Sequence, residues 1–306
     1  MKLGENVLKG IAKFDDAEKA RQFVAACEKD FEGRLDEIAE KVAANKALHL
    51  VALSGPSCSG KTTTANKLIS ELEARGRRVH VVSIDDFYYD KDILNNMAAE
   101  TGEIDYESIR SIDFEALVEC VNEIFSDGIT KVPRFDFKTG KRTGYVEYDP
   151  SDEDLFIFEG IQAIYPEITE VFSRYESLSV CICALSSIEI DGKHFEPNEI
   201  RLFRRLVRDY HFRNTTPEFT MKLWESVRAN EEENIFPYMD SVDLIIDSTL
   251  AFEIGMLRPY LESILESFDP ENKYARQIKD ILQKVQGIEA LPKSYITENS
   301  LYNEFI

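Results

Sequence analysis

The sequence predicts an α/β fold, with a mainly parallel central sheet covered by helices on both faces. Three observations predict it. Short apolar, often β-branched runs recur at residues 48–53, 79–84, 155–158, 178–184 and 242–246, and runs apolar throughout are the mark of strands buried on both faces. Helical segments separate these runs. The 306 residues are 43% apolar and 30% charged, a globular composition.

The elements follow in order. Residues 17–46 read as one long amphipathic helix, because Phe23, Cys27, Phe31, Leu35, Ile38 and Val42 recur at spacings of three and four. The strand at 48–53 ends in a glycine-rich turn, and a helix over 63–75 stops at Gly76. A helix over 114–125 and a short strand over 131–135 come next. Asp191-Gly192 marks a hairpin within 188–195. Two helices, 199–212 and 217–234, precede the last strand, and further helices run to about residue 286. No tract rich in Gly, Pro or Ser divides the chain. The expected organisation is a helical extension over residues 1–46 and one main domain over 47–306.

Charge narrows the function. Lys and Arg total 36 and Asp and Glu total 57, so the net charge is −21. That argues against a general nucleic-acid binder and against docking on an anionic membrane. No apolar stretch is long enough to cross a bilayer, and residues 1–13 lack the pattern of a secretion leader. The five cysteines include no CxxC pair and sit mostly in apolar runs, as expected of buried thiols in a reducing cytoplasm. Cys58, in a loop, is expected to be more exposed than the others.

Four motifs carry chemistry. Gly55-Pro56-Ser57-Cys58-Ser59-Gly60-Lys61-Thr62 fits G-x-x-x-x-G-K-[ST] between a strand and a helix. Gly55 and Gly60 permit backbone geometry that side chains forbid. The loop amides and the helix N-terminus then cradle phosphate, with Lys61 reaching the β and γ phosphates and the Thr62 hydroxyl on Mg²⁺. Ser57, Cys58, Ser59 and Thr63 complete the candidate nucleotide site. Asp85 and Asp86 stand where the second strand ends, a place for a carboxylate that accepts a hydroxyl proton or helps hold a metal. Glu159 ends the strand at 155–158 ahead of Gly160, a place for a Mg²⁺-linked acid. Arg201, Arg204, Arg205 and Arg208 lie on one helix and Arg213 follows. Arginines so arranged suit a mobile clamp over transferring phosphates, or a helix salt-bridged to an acidic surface.

The segments GPSCSGKTTTA, SIDDFYYD, VPRFDFKTGKR, FIFEGI and RLFRRLVRDYHFRNT, in this order, resemble the uridine kinase and phosphoribulokinase family of P-loop kinases. Within the family, the chain is similar to the kinase half of bacterial proteins that join a synthetase-like part to a uridine-kinase-like domain. The resemblance implies a P-loop NTPase three-layer sandwich with a helical lid, and transfer of the γ-phosphate of ATP, with Mg²⁺, to a hydroxyl of a small molecule. It implies Asp85 as catalytic base, assisted by Lys61, Arg208 and Arg213. It groups Thr62, Asp85 and Glu159 around the metal. It assigns Tyr88 and Arg205 to the acceptor side and implies self-association.

The departures from the family fall in the acceptor pocket. Phe135-Asp136-Phe137 replaces a Tyr-Asp-Phe segment, and no histidine follows three residues on. Arg110 stands near the place of a ribose-binding aspartate, and Thr215 replaces an arginine at the end of the lid motif. Losing such polar groups can cost orders of magnitude in discrimination. Arg110, Arg134, Lys138, Lys141 and Arg142 offer a basic replacement. The acceptor expected from the resemblance is a uridine- or cytidine-type nucleoside. The alternatives are an anionic acceptor such as a sugar phosphate, or a nucleotide-binding regulatory module without acceptor chemistry.

Overall fold

The structure is a computed structural model that describes residues 3–101, 106–126, 129–151, 153–266 and 268–306. Ten strands and nine helices are assigned among the described residues. In chain order they are β1 Val7–Lys9, α1 Ala17–Ala44, β2 Leu50–Ser54, α2 Lys61–Ala74, β3 Arg78–Ser83, α3 Lys91–Thr101, α4 Phe114–Ile124, β4 Thr130–Asp136, β5 Lys141–Tyr148 and β6 Asp154–Glu159. There follow α5 Pro166–Phe172, β7 Ser177–Cys183, β8 Ser187–Ile190, β9 Lys193–Phe195, α6 Pro197–Arg213, α7 Pro217–Asn234, β10 Leu244–Asp247, α8 Glu253–Leu265 and α9 Ala275–Val285.

The five apolar runs form one parallel sheet in the order β10-β7-β2-β6-β3. Alternate side chains leave it in opposite directions. Val51, Leu53, Leu155, Ile157, Val180, Ile182 and Ile246 join α1, α2, α6, α8 and α9 in one core, and Leu50, Ala52, Val82, Phe156 and Phe158 join α4 and α5 in the other. Helix, sheet and helix therefore make the three layers the sequence predicts.

Some elements carry little signal. The hairpin partner β5 alternates exposed and half-buried residues against β4, and β1 is a three-residue strand on β8. The Asp191-Gly192 turn does join β8 to β9, with φ of 49° and 75°. Helix α1 buries Val24, Phe31, Leu35 and Val42 in the same core as the sheet. Lys67 on α2 pairs with its Glu32 at 2.8 Å.

Candidate active site

The sheet topology brings the three acid and phosphate motifs together. Strand β6 lies between β2 and β3, and Glu159, at its carboxyl end, is level with Leu53 on one side and Ser83 on the other. The phosphate loop leaves β2 one residue later, and Asp85 sits in a 3₁₀ turn just past β3. All three face the crevice beyond the carboxyl ends of the strands, where open α/β sheets bind ligands.

The loop fits a nucleotide phosphate on its own geometry. Gly60 caps α2 in the left-handed region, φ 89°. Gly55 needs no unusual φ; it is glycine because a Cβ would overlap the Ile182 carbonyl. The amides of Lys61, Thr62 and Thr63 belong to the first turn of α2, where intrahelical partners are missing. Ser59 Oγ is buried without a partner. Cys58, expected to be more exposed than the other thiols, is instead 3% exposed with φ 59° and packs in the core that contains α6 and α8. Cys27 is the least buried thiol. Burial pushes Cys183 and Cys120 up to about 12, so these are inert core groups.

The two adjacent acids are not equivalent. Asp86 is used up, since Arg134 Nη1 donates to it at 2.6 Å and the Phe135 amide at 2.8 Å. Asp85 shares neither of these partners. Burial and the nearby Glu159 charge push its carboxyl up to about 6, against the opposing pull of Lys61 and Tyr88. Ser83 Oγ donates to Glu159 at 3.2 Å. Among the described residues no three Asp, Glu, His or Cys side chains gather as a metal cage. Mg²⁺ held through nucleotide phosphates and water asks for only one or two carboxylates, so Thr62, Asp85 and Glu159 fit it.

The arginine helix departs from the expected mobile clamp. Arg201 and Arg204 are wholly buried, paired with Glu231 on α7 and Glu253 on α8. They reach under the phosphate loop, Arg201 Nη1 to the Ser57 carbonyl and Arg204 Nη1 to that of Cys58, each at 3.1 Å. Arg205, assigned to the acceptor side, donates instead to Ser57 Oγ at 2.8 Å. Asp209, which the motif reading passed over, gathers three guanidinium groups: Arg208 at 2.9 Å, Arg205 at 3.2 Å and Arg213 at 3.7 Å. One carboxylate against three guanidinium groups leaves this cluster net positive. Only the last turn of α6, from Tyr210, is exposed.

On the acceptor side, Tyr88 stands edge-on to Tyr106, Phe135 and Phe137, with centroids 5.7 to 6.0 Å apart. Its hydroxyl donates to the Tyr106 carbonyl at 2.5 Å and accepts from Gln162 at 3.3 Å. Gln162, also missed, is buried with Oε1 unpartnered. Phe137 is 64% exposed. The basic cluster is largely neutralised. Arg134 pairs with Asp86, Lys141 with Asp92 at 3.5 Å and Arg142 with Asp113 at 3.0 Å, while Arg110 and Lys138 are exposed.

Residues 50–254 match the model of the phosphoribulokinase / uridine kinase family. The chain belongs to this family, whose members are phosphotransferases acting on a hydroxyl group. It is 31% identical over 177 residues to the uridine kinase of Ureaplasma urealyticum serovar 10, covering 58% of this chain and 76% of that one. It is 26% identical over 211 residues to uridine-cytidine kinase C of Dictyostelium discoideum, covering 69% of this chain and 41% of that relative, less than half its length. Among solved structures it is similar to phosphoribulokinase from Rhodobacter spheroides, at 12% identity and TM-score 0.46, covering 79% of this chain and all of that one. No helix among the described residues is long and apolar enough to cross a membrane.

Proposed function

We propose that the protein is an ATP- and Mg²⁺-dependent kinase that phosphorylates a hydroxyl of a small molecule, with a uridine- or cytidine-type nucleoside as acceptor. The observation that carries this reading is the convergence of the phosphate loop, Glu159 and Asp85 on the ends of adjacent strands. In this reading residues 47–306 are the kinase unit and residues 1–46 an extension packed onto it.

Each residue has a task. The loop amides and Lys61 hold phosphate oxygens. Thr62, Asp85 and Glu159 hold Mg²⁺, which when bound neutralises charge on the β and γ oxygens. Asp85, raised toward neutrality by burial, accepts the proton of the attacking hydroxyl. Arg208 and Arg213, turned toward one another by Asp209, meet charge on the transferred group. The fold holds these groups in place, so positioning supplies most of the rate.

The acceptor class rests on the aromatic wall. Tyr88, Tyr106, Phe135 and Phe137 beside Asp85 offer faces and edges to a planar base. The ion pairs of Arg134, Lys141 and Arg142 leave little free charge for an anionic acceptor. The test is ADP release with Mg-ATP across nucleosides, sugars, sugar phosphates and small carboxylated alcohols. Turnover with uridine or cytidine supports the proposal. Turnover only with an anionic compound overturns the acceptor class. ATP binding without turnover on any acceptor favours a regulatory module.

A further inference from the structure

The N-terminus of α2 already carries a carboxylate. Glu304 lies 241 residues downstream of Thr63. Its Oε2 accepts from the Thr63 hydroxyl at 3.0 Å and from the Thr63 amide at 3.4 Å. That amide is one of the first-turn donors that a phosphate loop presents to nucleotide phosphates. Two anions cannot share it.

The segment bearing Glu304 is anchored to the loop itself. Leu301, Tyr302 and Phe305 are buried, and a Cβ on Gly60 would run into Leu301. The rings of Tyr302 and Phe305 lie 5.9 and 5.1 Å from the Arg204 guanidinium, the same group that bonds the Cys58 carbonyl. Asn303 Nδ2 ties the turn to the carbonyls of Thr297 and Glu298. The backbone is therefore held, while the Glu304 side chain is only half-buried. A cleft of about 570 Å³ opens beside it, lined by Thr62, Thr63, Asn66, Lys67 and Asn303 among others. The carboxylate has room to swing without unfolding the tail.

We propose that Glu304 is a built-in competitor for the nucleotide, an internal anion that must leave Thr63 before a phosphate binds there. The inference rests on the kinase reading of the site. It makes the nucleotide affinity of this chain lower than the loop alone would give, in proportion to the fraction of time that the Thr63 amide is free of Glu304. Removing the charge has opposite effects on two measurements. It tightens phosphate-bearing ligands, and it weakens or leaves unchanged the nucleotide-free protein, which loses a charged partner at a helix N-terminus.

The experiment is calorimetric titration of the wild-type protein, Glu304→Gln and Lys61→Ala with Mg-ADP and with adenosine. Glu304→Gln is expected to bind Mg-ADP about tenfold more tightly, the worth of one charge-assisted hydrogen bond. Adenosine binding and the melting temperature of the free protein should not rise. Glu304→Asp, which keeps the charge but shortens the reach, serves if the glutamine variant does not fold, and should shift affinity the same way. If the wild type binds Mg-ADP, Lys61→Ala does not, and the Glu304 variant binds no more tightly, the competitor is overturned and the kinase reading stands. An equal gain for adenosine also overturns it, since the effect is then not on the anion. If neither the wild type nor the Glu304 variant binds Mg-ADP, the kinase reading fails and the competitor falls with it.

Discussion

Arg204 donates from Nη1 to the backbone carbonyl of Cys58 at 3.1 Å. A loop whose amides turn inward toward phosphate must turn carbonyls the other way, into the protein. Those carbonyls need donors there. Helix α6 supplies them: Arg201 to Ser57 and Arg204 to Cys58, with Glu231 and Glu253 balancing the charges. The arginines thus shape the phosphate site from behind, through its backbone.

This makes Glu253 a stability residue with a functional consequence. It meets Arg204 at Nε and Nη2, 2.8 and 2.6 Å, in a fully buried pair. Glu253→Ala leaves an uncompensated buried guanidinium, and is expected to cost about 3–5 kcal/mol in a urea titration of the free protein. A loss below ~1 kcal/mol would show that water reaches Arg204 and that the pair does not hold the loop.

The catalytic assignment separates two neighbours. Asp85→Asn is expected to retain Mg-ADP binding, because the loop and two of the three groups assigned to Mg²⁺, Thr62 and Glu159, are untouched, and to lower turnover by about 10²–10⁴-fold. Asp86→Asn loses the charge partner of Arg134 and should show mainly as lower stability, with a smaller loss of turnover. Steady-state kinetics and thermal melting of the two variants side by side decide the matter. Near-wild-type turnover in Asp85→Asn would remove it as the base.

Much of this site is legible in the sequence, for a physical reason. The loop, Asp85 and Glu159 each stand where a short apolar run stops, and strand ends are where a parallel sheet presents its ligands. What the sequence hides is pairing. Glu231, Glu253 and Glu304 are three acids among 57, and nothing local marks them as partners of Arg201, Arg204 and Thr63; Asp209, by contrast, stands four residues from both Arg205 and Arg213 on one helix. The same blindness makes Arg134, Lys141 and Arg142 look like a free basic cluster, when each already faces an aspartate. Cys58 looks exposed because loops usually are; it is buried in a core with side chains from α6, α8 and the C-terminal segment, all distant in sequence.

The aromatic wall predicts how the acceptor is lost. Phe135 packs 5.7 Å from Tyr88 and 5.2 Å from Phe137, and its ring offers no proton. Phe135→Ala is expected to raise the KM for the acceptor about tenfold, consistent with about 1.5 kcal/mol of lost aromatic contact. The KM for ATP should stay put. Equal changes in both constants would indicate a collapsed site, and no change in either would place the acceptor elsewhere.

Acid sensitivity is predicted away from the site, at the opposite end of the sheet. Asp154 opens β6 and is buried. Burial alone would push its carboxyl up, but the Arg78 guanidinium, the Ser151 amide and His80 more than reverse this and hold it at about 2, against an ordinary 3.8. The folded state therefore binds this proton less readily than the unfolded chain. Its contribution, up to about 2 kcal/mol, is complete above about pH 4 and is lost as pH falls toward 2. Asp154→Asn should destabilise the protein at neutral pH by about that amount, and should flatten the fall in stability between about pH 4 and pH 2. Urea titrations of both proteins across that window read the difference directly. A wild-type curve no steeper there than that of Asp154→Asn would show that Arg78, more than half exposed, is too well solvated to hold the carboxylate down.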